Sequence, residues 1–287
     1  MRIAFIFLLL TLSFPSNAQR HKLDSLKNIA RQHTDTIGVM AFADLCFEYR
    51  FIHQDSAALF GRQAIALAKA IHYQKGLAQS YSDEGVVYYD KKELLSALAY
   101  WDSSMVVRKM ENDTYGQANL NVKKGAAYFQ LGQFDKSLTC QLEALRIYEQ
   151  LNIEIGIVQA LNNVAAVYEH QHQLDKALAY YQRSLAIKEK MKDPYQIGVA
   201  LINIGNIYLR KKQINEAKSF QHKAMAALQA AGTRAASEYL GMVHNNLADI
   251  YTQLSKYDSA LVNIKRALEI RKSINDYQGI VSSLNSL

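Results

Sequence analysis

One tyrosine recurs along this chain at an interval that a single compact core would have no reason to keep. Tyr49, Tyr88, Tyr128, Tyr168, Tyr208 and Tyr251 stand 39, 40, 40, 40 and 43 residues apart. A fixed internal period of this length is the mark of an array, in which one small structural unit is copied and stacked. Each anchor carries a small residue three positions earlier: Cys46, Gly85, Gly125, Ala165, Gly205 and Ala248. Another follows nine positions later, at Ala97, Ser137, Ala177, Ala217 and Ala260, and a third sixteen later, at Ser104, Ala144, Ser184, Ala224 and Ala267. In the first unit these fall one residue early, at Ala57 and Ala64, which marks a one-residue deletion in the turn.

The spacing within a unit is helical. Leu161, Val164, Ala165 and Tyr168 lie at i, i+3, i+4 and i+7, one face of a helix, and Ala177, Tyr180, Tyr181 and Ser184 repeat the pattern. His170-Gln171-His172-Gln173 between them reads as a polar turn. Each unit is therefore a helix, a short turn and a second helix. Small residues let two backbones approach, and larger ones such as Leu98, Leu138, Leu178 and Leu261 fill the spaces between. Most units open with glycine (Gly38, Gly76, Gly116, Gly156, Gly198, Gly241, Gly279), read here as left-handed residues closing the preceding helix. Lys192-Asp193-Pro194 is the strongest breaker.

Small, Tyr, Ala, Ala at relative positions 0, 3, 12 and 19, recurring from about Ile37 to Gln278, resembles the tetratricopeptide repeat (TPR) family, in its branch of longer, about 40-residue repeats. The resemblance implies an all-α protein, a TPR-type α-solenoid built as a right-handed superhelix of antiparallel helix pairs. It implies six repeats, at about 37–75, 76–115, 116–155, 156–196, 197–238 and 239–278, whose first helices line a concave groove. Two features depart from the family pattern. The proline after the second helix is missing, and the large aromatic of that helix survives only as Trp101 and Tyr181, with Gln141, Gln221 and Ile264 elsewhere, read as drift. Residues 19–36 read as an N-terminal capping helix, with Leu23, Leu26 and Ile29 on one face. Residues 279–287 read as the start of an incomplete seventh repeat. That would leave the last complete repeat poorly covered around Leu261, Ile264 and Leu268, a surface for self-association or the mark of a fragment. In resembling bacterial signalling proteins such an array precedes a histidine kinase or DNA-binding output domain, so a sensory N-terminal array is the alternative to a free-standing scaffold.

Residues 1–18 read as a signal peptide: Arg2, an apolar run from Ile3 to Leu12, and small residues at Ser16 and Ala18, with cleavage after Ala18. The expected mature chain is exported, periplasmic or secreted, with no stable membrane span. Formal charge is +7, but the basic residues are scattered. In an exported protein that excludes nucleic acid as the expected partner and leaves solvated helix faces. Cys46 and Cys140 stand two repeats apart at inward positions, and two buried free thiols are expected.

No catalytic, metal or cofactor constellation emerges. His170 and His172 lack further ligands at metal spacing, and no phosphate-cradling glycine motif or nucleophile elbow is present. The expected partner is a protein or peptide ligand. Asparagine recurs five residues before the anchor, at Asn163, Asn203 and Asn246, joined by Asn162, Asn245 and Asn206. Asparagine is a mediocre helix former, so its repetition within helices calls for a reason. In the resembling families the position faces the groove, where an amide can both donate to and accept from a peptide backbone. The alternative is that these amides bond between neighbouring helices and fix their register. By the same register Asp83, Tyr89, Lys123, Arg210 and Asp249 face the groove, with Lys123 and Arg210 suited to a partner's carboxylate. The lysine of the family's carboxylate clamp is replaced by Ile202, so the clamp is not carried over.

Overall fold

A computed structural model describes residues 17–285; the leader predicted at 1–18 lies, but for its last two residues, outside them. The described residues form helices and no strand. They are α1 (Asn17–Gln32), α2 (Thr36–Tyr49), α3 (Gln54–Ala70), α4 (Gln74–Asp90), α5 (Leu94–Met110), α6 (Thr114–Gln130) and α7 (Phe134–Gln150). Then come α8 (Glu154–His170), α9 (Leu174–Met191), α10 (Pro194–Arg210), α11 (Ile214–Ala231), α12 (Arg234–Gln253), α13 (Tyr257–Ser273) and α14 (Tyr277–Leu284). They gather into two compact units, Met1–Gly132 and Gln133–Leu287. Within each, consecutive antiparallel helices stack, the α-solenoid architecture. The first helix of each repeat begins two to seven residues ahead of the opening glycines that mark the sequence units from Gly38 to Gly241.

The three small positions are where helices touch. Ala57, Ala97, Ala177, Ala217, Ala64, Ser104, Ala144, Ser184, Ala224 and Ala267 are all fully buried. A methyl or hydroxymethyl is the largest group that fits where two backbones pack this closely. The anchor tyrosines are half-buried rather than core. Three of the rings stack on an aromatic of the following helix: Tyr88 on Tyr100 at 5.1 Å, Tyr168 on Tyr180 at 5.6 Å, Tyr208 on Phe220 at 5.2 Å. An offset pair of this kind adds about 1 kcal/mol beyond the area it buries. The anchor thus ties the two helices of its own repeat together across the turn.

The opening glycines do not close helices, as the sequence suggested. They sit within the first helices, most of them in the first turn and Gly241 further in, with ordinary helical backbone. The left-handed residues lie in the turns, and nine are not glycine: His72, Lys92, Asn112, Asn152, His172, Lys192, Lys212, Ser255 and Asn275. The glycines serve close packing instead. A Cβ at Gly156 would fall 2.5 Å from the Tyr148 ring, and one at Gly198 2.6 Å from Leu228 Cγ. A side chain there would push out a large buried residue of the neighbouring helix.

Leu23 and Ala30 of α1 pack against Ala41 and Leu45 of α2, so the N-terminal helix covers the first repeat's apolar face. At the other end the last complete repeat is better covered than expected, because Ile264 packs against Ala248 of α12. Ile264 is buried at 5% exposure and Leu268 half-buried, while Leu261 is 41% exposed. Arg271 of α13 donates to Gly279 O and to Ser283 Oγ, which ties α14 down. Cys46 is buried as expected, whereas Cys140 on α7 is only half-buried; neither is in a disulfide. Among the described residues no helix is long and apolar enough to cross a membrane.

Candidate functional site

The asparagines of the second unit divide into two groups. Asn163 Nδ2 donates to Gln141 Oε1 at 3.1 Å, joining α8 to α7. Asn206 Oδ1 accepts from Gln221 Nε2 of α11 and from Asn246 Nδ2 of α12, each at 3.0 Å, so one carbonyl holds three helices. Asn245 Oδ1 accepts from Ser283 Oγ at 3.0 Å. These four amides bond between helices and fix register. Asn162 and Asn203 do not: both are half-buried and neither makes a side-chain hydrogen bond among the described residues. Asn162 Oδ1 is fully shielded from solvent and still without a partner. Burial of an unpaired amide oxygen costs about 1–3 kcal/mol.

Gln141 and Gln221 were read from sequence as drift from an aromatic position. They are 1% and 0% exposed. They occupy the place that Trp101 and Tyr181 fill in the neighbouring repeats and serve as the bonding partners of Asn163 and Asn206. The signal was present as a polar residue recurring at a core position thirteen residues after the anchor. Gly205 belongs to the same arrangement, since a Cβ there would lie 2.8 Å from Gln221 Nε2.

Arg210 Nη1 pairs with Glu169 at 2.8 Å, and Tyr181 donates its hydroxyl to the other oxygen of that carboxylate at 3.1 Å. Glu169 is therefore shared between α9 and α10, and Arg210 is engaged rather than free. Asp249 is exposed on α12.

In the first unit Asp83 and Lys123 lie near one another but form no ion pair. Lys123 Nζ donates to Ser82 Oγ at 2.7 Å, and Asp83 Oδ1 accepts from Gln79 Nε2 at 2.8 Å. Gln79 in turn accepts from Arg108 at 3.0 Å. Burial pushes the Asp83 carboxyl up to about 6, with Lys123 opposing. Burial lowers the Lys123 ammonium, with Asp83 opposing. Tyr89 pairs with Gln130. This face is a bonded polar network across α4, α5 and α6. Met40 and Phe47 on α2 and Phe51 in the turn after it are exposed at 58%, 54% and 73%, and Arg50 stacks over both phenyl rings at 4.9 and 4.5 Å.

Among the described residues no group of three or more His, Cys, Asp or Glu side chains could hold a metal ion.

These features define an all-helical repeat protein whose buried polar groups lie on both helices of its repeats. The tetratricopeptide repeat family profile matches residues 116–190, 156–230 and 196–273, three overlapping stretches that cover more than half of the chain, and the chain belongs to that family. No curated protein matches it significantly in sequence. Solved structures share its fold at low identity. BtubC (BKLC) from P. vanneervenii superposes with a TM-score of 0.65 at 15% identity, over 91% of this chain and 94% of that one. Apo RapI gives 0.65 at 17%, over 90% and 77%. A Rap protein complexed with Competence and Sporulation Factor gives 0.59 at 18%, over 94% and 80%.

Proposed function

We propose that this TPR chain is a non-catalytic scaffold that holds an extended segment of a protein or peptide on the first-helix face of its second unit. The observation that carries the reading is the split among its asparagines. Asn163, Asn206, Asn245 and Asn246 set the helices in register, while Asn162 and Asn203, on first helices of the same unit, keep donor and acceptor groups without protein partners. Carboxamides in that state match a peptide backbone, which offers one donor and one acceptor per residue whatever its side chains. Of the structures that share the fold, one Rap protein is complexed with a second molecule, Competence and Sporulation Factor. The encounter is assigned to an exported compartment on the leader pattern of residues 1–18.

The test is fluorescence anisotropy of the full chain with a labelled pool of random nonapeptides. The Asn162→Ala/Asn203→Ala variant is expected to keep its helicity and Tm and to lose roughly 10-fold or more in affinity, about 1 kcal/mol for each bond removed. Equal affinity of wild type and an equally folded variant would overturn the reading.

A further inference from the structure

The second helices of alternate repeats carry a buried cation at a fixed place. Twenty residues after the anchors Tyr88, Tyr168 and Tyr251 stand Arg108, Lys188 and Arg271, each followed five residues later by an aspartate, Asp113, Asp193 and Asp276. Each aspartate caps the next helix by accepting from a backbone N–H: Gly116, Gln196 and Gly279. In the intervening repeats the same place holds Tyr148 and Leu228, and no aspartate follows.

Two of the three cations are hydrogen-bonded inside the protein, although Arg271 Nε has no hydrogen-bond partner. Arg108 binds Asp113 and donates to Gln79 Oε1 at 3.0 Å. Arg271 donates to Gly279 O and Ser283 Oγ. Lys188 is different. It is 1% exposed, yet makes no hydrogen bond and no ion pair among the described residues. The shorter, single-headed side chain keeps the place of the arginines without their bonds. Burial lowers its ammonium, with Asp193 opposing. A desolvated cation with no partner is among the costliest arrangements a fold can contain, and such groups persist where something else completes them.

Lys188 does not face packed side chains alone. It lines a cleft of about 510 Å³ between α8, the end of α9 and the start of α10, together with Gln159, Asn162, Asp193 and Gln196. Asn162 is the residue whose Oδ1 is shielded and unpaired, so this amide oxygen and a buried lysine that makes no hydrogen bond line one cavity. Ile155 and Met191 form its apolar rim and also belong to a neighbouring cleft of about 580 Å³, with Ile153, Ile157 and Ile187. Clefts of this size accept a small ligand or a few side chains.

We propose that this cleft is a binding site for a carboxylate flanked by an aliphatic group, as an acidic residue beside a leucine presents in a peptide. The carboxylate accepts from Lys188 Nζ and from the Asn162 amide, turned so that its NH₂ faces the ligand; the aliphatic chain covers Ile155 and Met191. The site deepens the peptide-binding reading and rests on it for the source of the carboxylate, because Asn162 belongs to both.

The experiment compares two fluorescein-labelled nonapeptide pools on the full chain, randomised except for a central Leu-Glu or Leu-Gln, with glutarate as a free dicarboxylate. The wild type is expected to bind the Glu pool about 10-fold tighter than the Gln pool. That preference is expected to vanish in Lys188→Met and to survive in Lys176→Met, which removes the same charge from an exposed site on the same helix, away from both clefts. Lys188→Met is also expected to raise the Tm of the unliganded protein, since an apolar side chain of similar length replaces an unpaired buried charge. Equal binding of both pools by the wild type, with no effect of glutarate on its Tm, overturns the carboxylate site while leaving general peptide binding intact. Binding of neither pool, with a glutarate-dependent rise in Tm that Lys188→Met loses, keeps the carboxylate site and overturns the peptide reading. A Tm shift by glutarate that Lys188→Met retains overturns the assignment to this cleft.

Discussion

Glu84 is the sharpest handle on the stability of the first unit. It is 0% exposed in the middle of α4, and neither carboxylate oxygen has a hydrogen-bond partner among the described residues. The Arg62 guanidinium stands 3.7 Å away. Burial pushes the Glu84 carboxyl from its ordinary 4.5 up to about 7, with Arg62 and Lys91 opposing. The folded unit therefore holds this proton more tightly than the unfolded chain does. The resulting stability is fully present below pH 4.5, declines as pH rises towards about 7, and stays lost above that. At about 1.4 kcal/mol per pH unit, the interval corresponds to about 3 kcal/mol. Glu84→Gln keeps the shape and abolishes the titration. Trp101 is the only tryptophan. It is 1% exposed and donates to Ser82 O at 3.0 Å, so its fluorescence reports unfolding of this unit. Urea titrations at pH 4.5 and pH 8 are expected to show wild type losing about 3 kcal/mol more than Glu84→Gln over that range. Every other titrating group is common to both proteins and cancels in the comparison. Parallel losses in the two would refute the argument that burial of this carboxyl governs its titration.

Gln221→Leu removes the donor that holds Asn206 to α11 and is expected to destabilise the second unit by about 1–3 kcal/mol in chemical denaturation, although it fills the same space with an apolar side chain. Cys46 is 1% exposed and burial pushes its thiol far up, so iodoacetamide at pH 8 is expected to spare it. Half-buried Cys140 reacts under the same conditions, and mass spectrometry of the native protein is expected to find one modified thiol, moving to two on unfolding.

The period, the helix pairs and the closely packed small residues could all be read from the sequence, because a residue such as Ala177 or Ala224 is fixed by backbone approach, and that constraint recurs unchanged in every repeat. The role of the opening glycines could not. Glycine permits both a left-handed backbone and a crowded one, and only the position of Tyr148 or Leu228 decides between them. The asparagines were visible as a recurring oddity, but their partners were not. Gln141 and Gln221 reach Asn163 and Asn206 across 22 and 15 residues. An amide at a position usually aromatic reads as drift until its neighbour is known. Lys188 escaped notice because a lysine near the end of a helix is ordinarily solvated; its burial follows from how α8 and α10 close over α9.

Two kinds of second helix alternate along the chain, and the alternation has a physical basis that can be tested by transplanting it. One kind carries Trp101 or Tyr181, then Arg108 or Lys188, then a capping aspartate; the other carries Gln141 or Gln221, then Tyr148 or Leu228. Either kind needs room at the cation's place, and a glycine of the following helix provides it. A Cβ at Gly198 would meet Leu228 at 2.6 Å, and one at Gly241 would meet Arg271 Nε at 2.8 Å. Space therefore does not decide which residue sits there; the presence of the aspartate does. Leu228→Arg alone leaves a buried cation without its counter-charge and is expected to cost about 3–5 kcal/mol. Adding Thr233→Asp supplies the carboxylate where Asp113 and Asp276 stand relative to Arg108 and Arg271, and keeps the cap that Thr233 now gives Ala236 N at 3.1 Å. The double variant is expected to recover at least about 1 kcal/mol of the loss, a coupling read from a double-mutant cycle of urea midpoints. Strict additivity would mean that the aspartates cap helices and do nothing for the cations. The unbonded state of Lys188 beside Asp193 would then be the ordinary condition of this position, not one that a ligand completes.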